Sequence, residues 1–236
     1  MIIRVLDTET TGLSPETDRV VELAAVEVAQ VLVPGTDEPC WSIGAPVVSF
    51  VNPRIPIPPE ASGVHHIVDA DVADAPDLGE AIDRVLGPMW GDQVDIIAAH
   101  NARFDRDMLP PLKEKRWVDT YRCALHCWPD APDFKNGTLF YYTGGVRVDD
   151  VIAHRAAFDA TLTAHILVKL LDERTVDELL VLSRKAVVLK KVGFGKHFGS
   201  LWVDVPDGYI KWALKVDDLD PDVKFTVKKE ALRRGL

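Results

Sequence analysis

From Ile2 to Glu9 the chain alternates and is rich in β-branched residues, which predicts a β-strand. Thr10-Thr11-Gly12-Leu13-Ser14-Pro15 then reads as a turn, and Val20–Val28 and Pro46–Val51 as two more strands in an antiparallel meander. Pro53, Pro56, Pro58 and Pro59 stiffen 52–60 into an extended loop. The period then changes. Leu78, Ile82, Val85, Leu86 and Met89 recur at helical spacing between Leu78 and Trp90. The apolar run Val94–Ala99 suits a buried strand and leads into a helix near Arg103–Leu112. Phe158–Leu171 predicts a long helix with Leu162, Ile166 and Leu170 on one stripe. Strands first, then strands alternating with helices, indicate an α/β protein with a mixed sheet.

Beyond residue 175 the pattern is different. Val176–Val192 has helical character, Phe194–Gly199 is a glycine-bounded turn, and Trp202, Val205-Pro206, Tyr209 and Trp212 form an aromatic patch. We expect a body over 1–175 and a small C-terminal α+β module over 176–236. Thr36–Ala45 reads as an insertion between strands, and Phe140–Gly145 is unusually aromatic and glycine-rich.

The 236 residues carry a net charge of −10, with 47% hydrophobic and 27% charged side chains. This excludes a disordered acidic chain, a collagen-like repeat and a coiled coil. The total also argues against nucleic-acid binding, which needs Lys and Arg on phosphates. Its distribution argues the other way. Residues 1–175 hold 15 basic and 28 acidic side chains, whereas 176–236 hold 12 and 9. An acidic body thus carries a mildly basic tail, a pattern that fits a polyanionic partner. Neither a signal peptide nor a membrane span is visible. Cys40, Cys123 and Cys127 lack CxxC spacing, and the Cys123–His126–Cys127 group reads as packing thiols with a surface histidine. A reducing cytoplasm fits these features.

The candidate chemistry lies in carboxylates. Asp7 and Glu9 end the first strand on the same side as Ile3 and Val5, since strand side chains alternate. Two acids facing a core are costly unless a cation neutralises them, and Mg²⁺ prefers such hard oxygen ligands; a solvated strand end is the alternative. Asp105 falls in the first turn of the helix that follows the 94–99 strand, where an acid also complements the helix dipole. Asp159 opens the long apolar helix near the Leu162/Ile166 stripe and should face inward. His154, five residues earlier, would lie 140° away on a regular helix, so convergence requires it to precede that helix.

In order, Asp7-Thr8-Glu9-Thr10-Thr11-Gly12-Leu13, His100-Asn101-Ala102-Arg103-Phe104-Asp105 and His154-Arg155-Ala156-Ala157-Phe158-Asp159-Ala160 resemble the DEDDh family of metal-dependent 3′→5′ exonucleases, over about residues 1–172. The tail phrase Phe194-Gly195-Lys196 to Gly199, with Val205-Pro206 and Tyr209-Ile210-Lys211-Trp212, resembles the C-terminal module of an exodeoxyribonuclease within that family. The resemblance implies a ribonuclease H-like mixed β-sheet flanked by helices. It implies Asp7, Glu9, Asp105 and Asp159 as ligands of two Mg²⁺ ions, with Mn²⁺ as a substitute. Asp7 would bridge, Glu9 and Asp159 would complete the ion near the nucleophile, and Asp105 would hold the second. His154 is implied as the general base. The implied reaction is release of nucleoside 5′-monophosphates from DNA 3′ ends, single-stranded or duplex. RNA 3′-end trimming, or a polymerase-associated proofreading or non-catalytic subunit, are the alternatives; no polymerase-docking peptide is evident.

Around this set, the turn Thr10, Thr11, Gly12 and Leu13 would meet the terminal nucleotide through backbone N–H groups. Leu13 either wedges against the last base or folds back on the core. His66, Asn101, Arg103 and Phe104 are further nucleic-acid candidates, with Phe104 equally suited to the core. In the tail, Lys196 is the leading DNA contact among Lys190, Lys191, His197, Lys211 and Lys215, while Trp202, Tyr209 and Trp212 read either as stacking surfaces or as a mini-core.

Overall fold

The computed structural model describes residues 1–87, 95–146 and 155–236. Its centre is a six-stranded sheet: β1 Ile2–Thr10, β2 Val20–Leu32, β3 Pro39–Ile43, β4 Val47–Phe50, β5 Ile96–Ala99 and β6 Arg116–Asp119. The order is β3-β2-β1-β5-β6, with β4 also on β2. β1 pairs antiparallel with β2 and parallel with β5, and β5 pairs parallel with β6. The sheet is therefore mixed, as the sequence pattern indicates. The helices are α1 Pro59–His65, α2 Asp69–Val72, α3 Leu78–Leu86, α4 Arg103–Met108, α5 Thr120–Cys127, α6 Asn136–Tyr142, α7 Ala156–Glu173, α8 Val176–Leu182, α9 Asp207–Ala213 and α10 Pro221–Arg234.

Alternation along β1 sorts its side chains between two cores. Ile3 and Val5 pack with Ala24, Val26 and Val28 of β2 against α5–α8. Leu6 packs on the other face with Leu23, Ile97, Ile82 and Met108. Burial on both faces explains why β5 reads as an uninterrupted Ile-Ile-Ala-Ala. α7 lies on the first face through Ala156, Ala160 and Ala164, all fully buried and four residues apart. Small side chains at this spacing let the helix approach the strands closely. That approach brings the first turn of α7 to the C-terminal end of β1.

Several boundaries depart from the sequence reading. The 36–45 stretch contains β3, which extends the sheet by pairing with Val28–Leu32 of β2. The helix expected over 103–112 stops at Met108, because Pro110 and Pro111 supply no N–H, and continues as a 3₁₀ turn at Pro110–Leu112. Helix α8 ends at Leu182, ten residues short of the expected stretch; Met89, Trp90 and Val94 lie outside the described residues.

The C-terminal segment is helical rather than α+β: among the described residues its β-structure is a single bridge, Lys191–Leu201. Val176, Leu179 and Leu180 of α8 join the first sheet core, whereas Val192, Trp202, Val205, Tyr209, Ile210, Val223 and Val227 form a separate one. Arg122 of α5 ties the two together. It donates to both Asp222 carboxylate oxygens, at 2.5 and 3.2 Å, and to the Lys185 carbonyl at 2.7 Å.

Candidate active site

Asp7, Glu9 and Asp159 converge: one carboxylate oxygen of each lies within 4.8 Å of the others. The first two project from β1 toward the α7 face, and Asp159 descends from the first turn of α7. Asp105 approaches from α4. It accepts a 2.8 Å hydrogen bond from Thr8, whose side chain points to the opposite side of β1 from its two acidic neighbours.

These acids disturb one another. Asp7 is held well above the ordinary carboxylate range, first by burial and then by repulsion from Asp105, Asp159, Glu9 and Glu22. Burial, followed by repulsion from Asp159 and Glu22, pushes Glu9 up to about 8. Burial pushes Asp105 up to about 7, against the Thr8 hydrogen bond, which pulls it down. Negative charge packed this densely calls for a cation. Among the described residues the cluster offers hard carboxylate oxygens and no thiol or imidazole, a donor set for a hard divalent cation. The donor set therefore fits a divalent metal, with Asp7, Glu9 and Asp159 as the ligand cluster and Asp105 next to it.

Two residues that the sequence reading did not single out fix this arrangement. Glu22, 2% exposed at its side chain, sits opposite Glu9 in the β1–β2 register. It accepts from Arg155 Nε at 3.1 and 3.0 Å, from Arg155 Nη2, and from the Ala156 N–H at 3.0 Å. The carboxylate thus caps α7 from the sheet and sets the helix entry four residues before Asp159. Asn136 of α6 donates to the Asp159 carbonyl and to Thr163 Oγ1, both at 3.0 Å. A buried carboxylate paired with arginine could have been sought at residue 22, but strand register is needed to find its partner.

The turn after β1 is tightly tied. The Thr10 hydroxyl donates to the Gly12 carbonyl at 2.6 Å, and the Thr11 N–H to the Arg19 carbonyl at 2.8 Å. Asp18 accepts from the Ser14 N–H at 2.9 Å and from Thr11 Oγ1 at 3.3 Å. A Cβ on Gly12 would come within 2.5 Å of that carboxylate, so the turn requires glycine there. Leu13 at its tip is 84% exposed and does not fold back on the core.

The remaining candidates separate. His66 is exposed, with a left-handed φ of 60°. Its neighbour His65 is buried, and Nδ1 accepts the Ile67 N–H at 3.1 Å. That leaves Nε2 as the protonated nitrogen, donating to the Thr10 carbonyl at 3.3 Å. His65 is thus a strut under the turn, with burial lowering its basicity. Asn101 is exposed at a φ of 67° and donates its N–H to Asp119 at 3.2 Å. Arg103 is exposed and pairs with Asp107 at 3.8 Å. Phe104 packs against the second core. Lys196 stands in the C-terminal segment, over the Tyr209 ring. His154 lies outside the described residues; Arg155, which follows it, is the N-cap of α7.

A strand-borne acid pair and a facing helical acid thus converge, with a fourth acid on the helix after the neighbouring parallel strand, an arrangement able to hold a divalent cation. Residues 5–167 match the RNase T model, described as Exonuclease; the chain belongs to this exonuclease family and is a phosphodiester hydrolase. It is 30% identical to exodeoxyribonuclease 10 of Escherichia coli (strain K12), over 96% of this chain and 97% of that protein. Among solved structures it is similar to exonuclease X in complex with 5′ overhanging duplex DNA: TM-score 0.62, 29% identity, 77% of this chain and 99% of that one. The nuclease domain of 3′hExo, a DEDDh family member bound to rAMP, shares the fold at TM-score 0.56 and 17% identity, over 73% of this chain and 92% of that one. Among the described residues no helix is long and apolar enough to cross a membrane.

Proposed function

We propose that this exonuclease removes nucleoside 5′-monophosphates from DNA 3′ ends, using two Mg²⁺ ions held by Asp7, Glu9, Asp159 and Asp105, with Mn²⁺ as a substitute. The observation that carries this reading is the convergence of Asp7, Glu9 and Asp159 within 4.8 Å, next to a fixed turn. Bound there, Mg²⁺ supplies neutralisation of the phosphate charge and a lowered pKa for water. The chain's residues do the rest. Asp7 and Glu9, on one strand, and Asp159, on a helix capped by Glu22, keep the ligand oxygens in place without reorganisation. Asp105 is oriented by Thr8. His154 serves as general base, taking the proton of the attacking water on an imidazole nitrogen; an ordinary pKa of about 6.5 suits that task near neutral pH.

DNA is favoured as the polymer by the similarity to exodeoxyribonuclease 10 along nearly the whole chain, and by the similarity to exonuclease X, which was solved with duplex DNA. The backbone of Thr10–Leu13 would meet the terminal nucleotide, with His66, Asn101 and Arg103 as flanking contacts and Lys196 on more distant DNA. We place the enzyme in the cytoplasm, where its three free cysteines stay reduced. The test uses matched 3′- or 5′-labelled DNA and RNA, single- and double-stranded, with Mg²⁺ or EDTA. Mononucleotide release from DNA 3′ ends, abolished by EDTA, is expected. Hydrolysis that persists in chelator, 5′-end release, or a preference for RNA would overturn the reading.

A further inference from the structure

The C-terminal segment contains an aromatic cleft with no role in the site above. It has a volume of about 390 Å³ and is lined by Gly195, Lys196, Gly208, Tyr209 and Trp212. This lies at the lower end of ligand-sized clefts, roughly 300–1,000 Å³. We propose that it is a single-stranded nucleic-acid subsite, in which one base stacks on Trp212 beside Tyr209 and its phosphate meets Lys196. The proposal rests on the protein acting on nucleic acid and adds a second contact surface for the strand.

The tryptophans of this segment divide into two kinds. Trp202 is 3% exposed and belongs to the local core, whereas Trp212 is 48% exposed. A core role accounts for the first and not the second. The Trp212 ring lies 4.8 Å from the Tyr209 ring, at 37°, so the buried tyrosine backs the exposed tryptophan face and holds it in place. The Lys196 ammonium stands 5.8 Å from the Tyr209 centroid. A π surface with a cation at its rim is the combination that binds single strands, because every base has a π face and every link a negative charge.

A second observation points the same way. The Tyr209 hydroxyl and His197 Nε2 are buried and have no hydrogen-bond partner among the described residues. Tyr209 as a whole is 8% exposed, and the His197 ring meets it edge-on at 4.6 Å. Buried polar groups normally find partners, and the polar edge of an inserted base would supply one. The backbone is shaped for close approach. Gly195 has a left-handed φ of 63°, and a Cβ there would come within 3.0 Å of the Tyr209 hydroxyl; Gly208 forms a wall without a side chain. Charge favours an anion as well, since residues 176–236 carry the chain's excess of basic groups.

The test uses the full chain in EDTA, so that binding is read without cleavage. The affinity for a dT12 single strand is compared between wild type, Trp212→Leu, Trp212→Phe and Lys196→Ala, with thermal unfolding of each variant as the folding control. Trp212→Leu should weaken binding at least fivefold while Tm stays within error, and Trp212→Phe should recover most of the loss. Photo-crosslinking with 5-iodouracil in the strand should map to Trp212 or Tyr209. Wild-type affinity in Trp212→Leu, crosslinks confined to residues 1–175, or displacement of dT12 by an acidic peptide that binds more tightly would overturn the subsite. A wild-type protein that binds dT12 in this way but hydrolyses no DNA would overturn the proposed function and leave the subsite standing.

Discussion

Arg155 and Glu22 form a bidentate ion pair that fastens the first turn of α7 to the middle of the sheet. The pair is asymmetric, because the Glu22 side chain is 2% exposed and that of Arg155 30%. Removing arginine strands a buried carboxylate near Asp7 and Glu9, a loss of roughly 3–5 kcal/mol. Removing glutamate leaves an arginine that can turn toward water and an Ala156 N–H without its acceptor, a smaller loss of about 1–3 kcal/mol. Urea unfolding of Arg155→Ala and Glu22→Ala should rank them in that order. The reverse order would show that the carboxylate is not the buried partner that matters. Both variants should lose activity, because both release the helix that aims Asp159.

Thr8 fixes Asp105 in a different way. Its hydroxyl opposes the upward push of burial on that carboxylate. In Thr8→Val only backbone hydrogen bonds still oppose that push, so more protons compete with a divalent cation at neutral pH. The Mg²⁺ concentration for half-saturation should rise about tenfold, the equivalent of a hydrogen bond to a charged group of roughly 1.5 kcal/mol. The rise should be larger at pH 6.5 than at pH 8.5. Calorimetric titration at the two pH values measures it; an equal rise at both would refute the protonation account.

The sequence made the acids visible but not their supports. Asp7 and Glu9 were legible because strand alternation assigns them one face, and Asp159 because it precedes an apolar stripe that must be buried. Glu22 was hidden, since its partners depend on β1–β2 register and on where α7 enters. β3 looked like an insertion because an edge strand, buried on one side only, lacks a continuous apolar run. Helix α10 escaped because Val223, Val227 and Ala231 are spread among charges, and its N-cap Asp220 is informative only once the helix is known. The C-terminal tryptophans could not be told apart at all: aromatic residues are equally suited to cores and to stacking surfaces, and exposure alone separates Trp202 from Trp212.

Metal-free, the acidic cluster should make stability depend on pH in an unusual direction. Folding raises Glu9 to about 8 and Asp105 to about 7, against roughly 4 in an unfolded chain. Between those values the folded state binds more protons than the unfolded one, so stability falls as pH rises. In EDTA, Tm should therefore decline from pH 5 to pH 8. Added Mg²⁺ should restore it increasingly over the same range, each kcal/mol of linked binding giving roughly 2–4 °C. Scanning calorimetry across that window is decisive: a Tm that climbs with pH in EDTA would show that the acids are not held protonated by the fold.

The same repulsion predicts that activity and metal-free stability oppose each other at Asp7. Its carboxylate is pressed by burial and by Asp105, Asp159, Glu9 and Glu22. An amide of equal shape removes the charge but keeps the packing. Asp7→Asn should raise Tm in EDTA, most clearly at pH 8, while Mg²⁺ no longer stabilises the protein to the wild-type extent. Turnover should fall by about a thousandfold or more, because metal-assisted charge stabilisation contributes several kcal/mol and each 1.36 kcal/mol is tenfold in rate. Lower Tm in EDTA together with retained Mg²⁺-dependent turnover would mean that Asp7 is a structural acid and that the metal is held elsewhere.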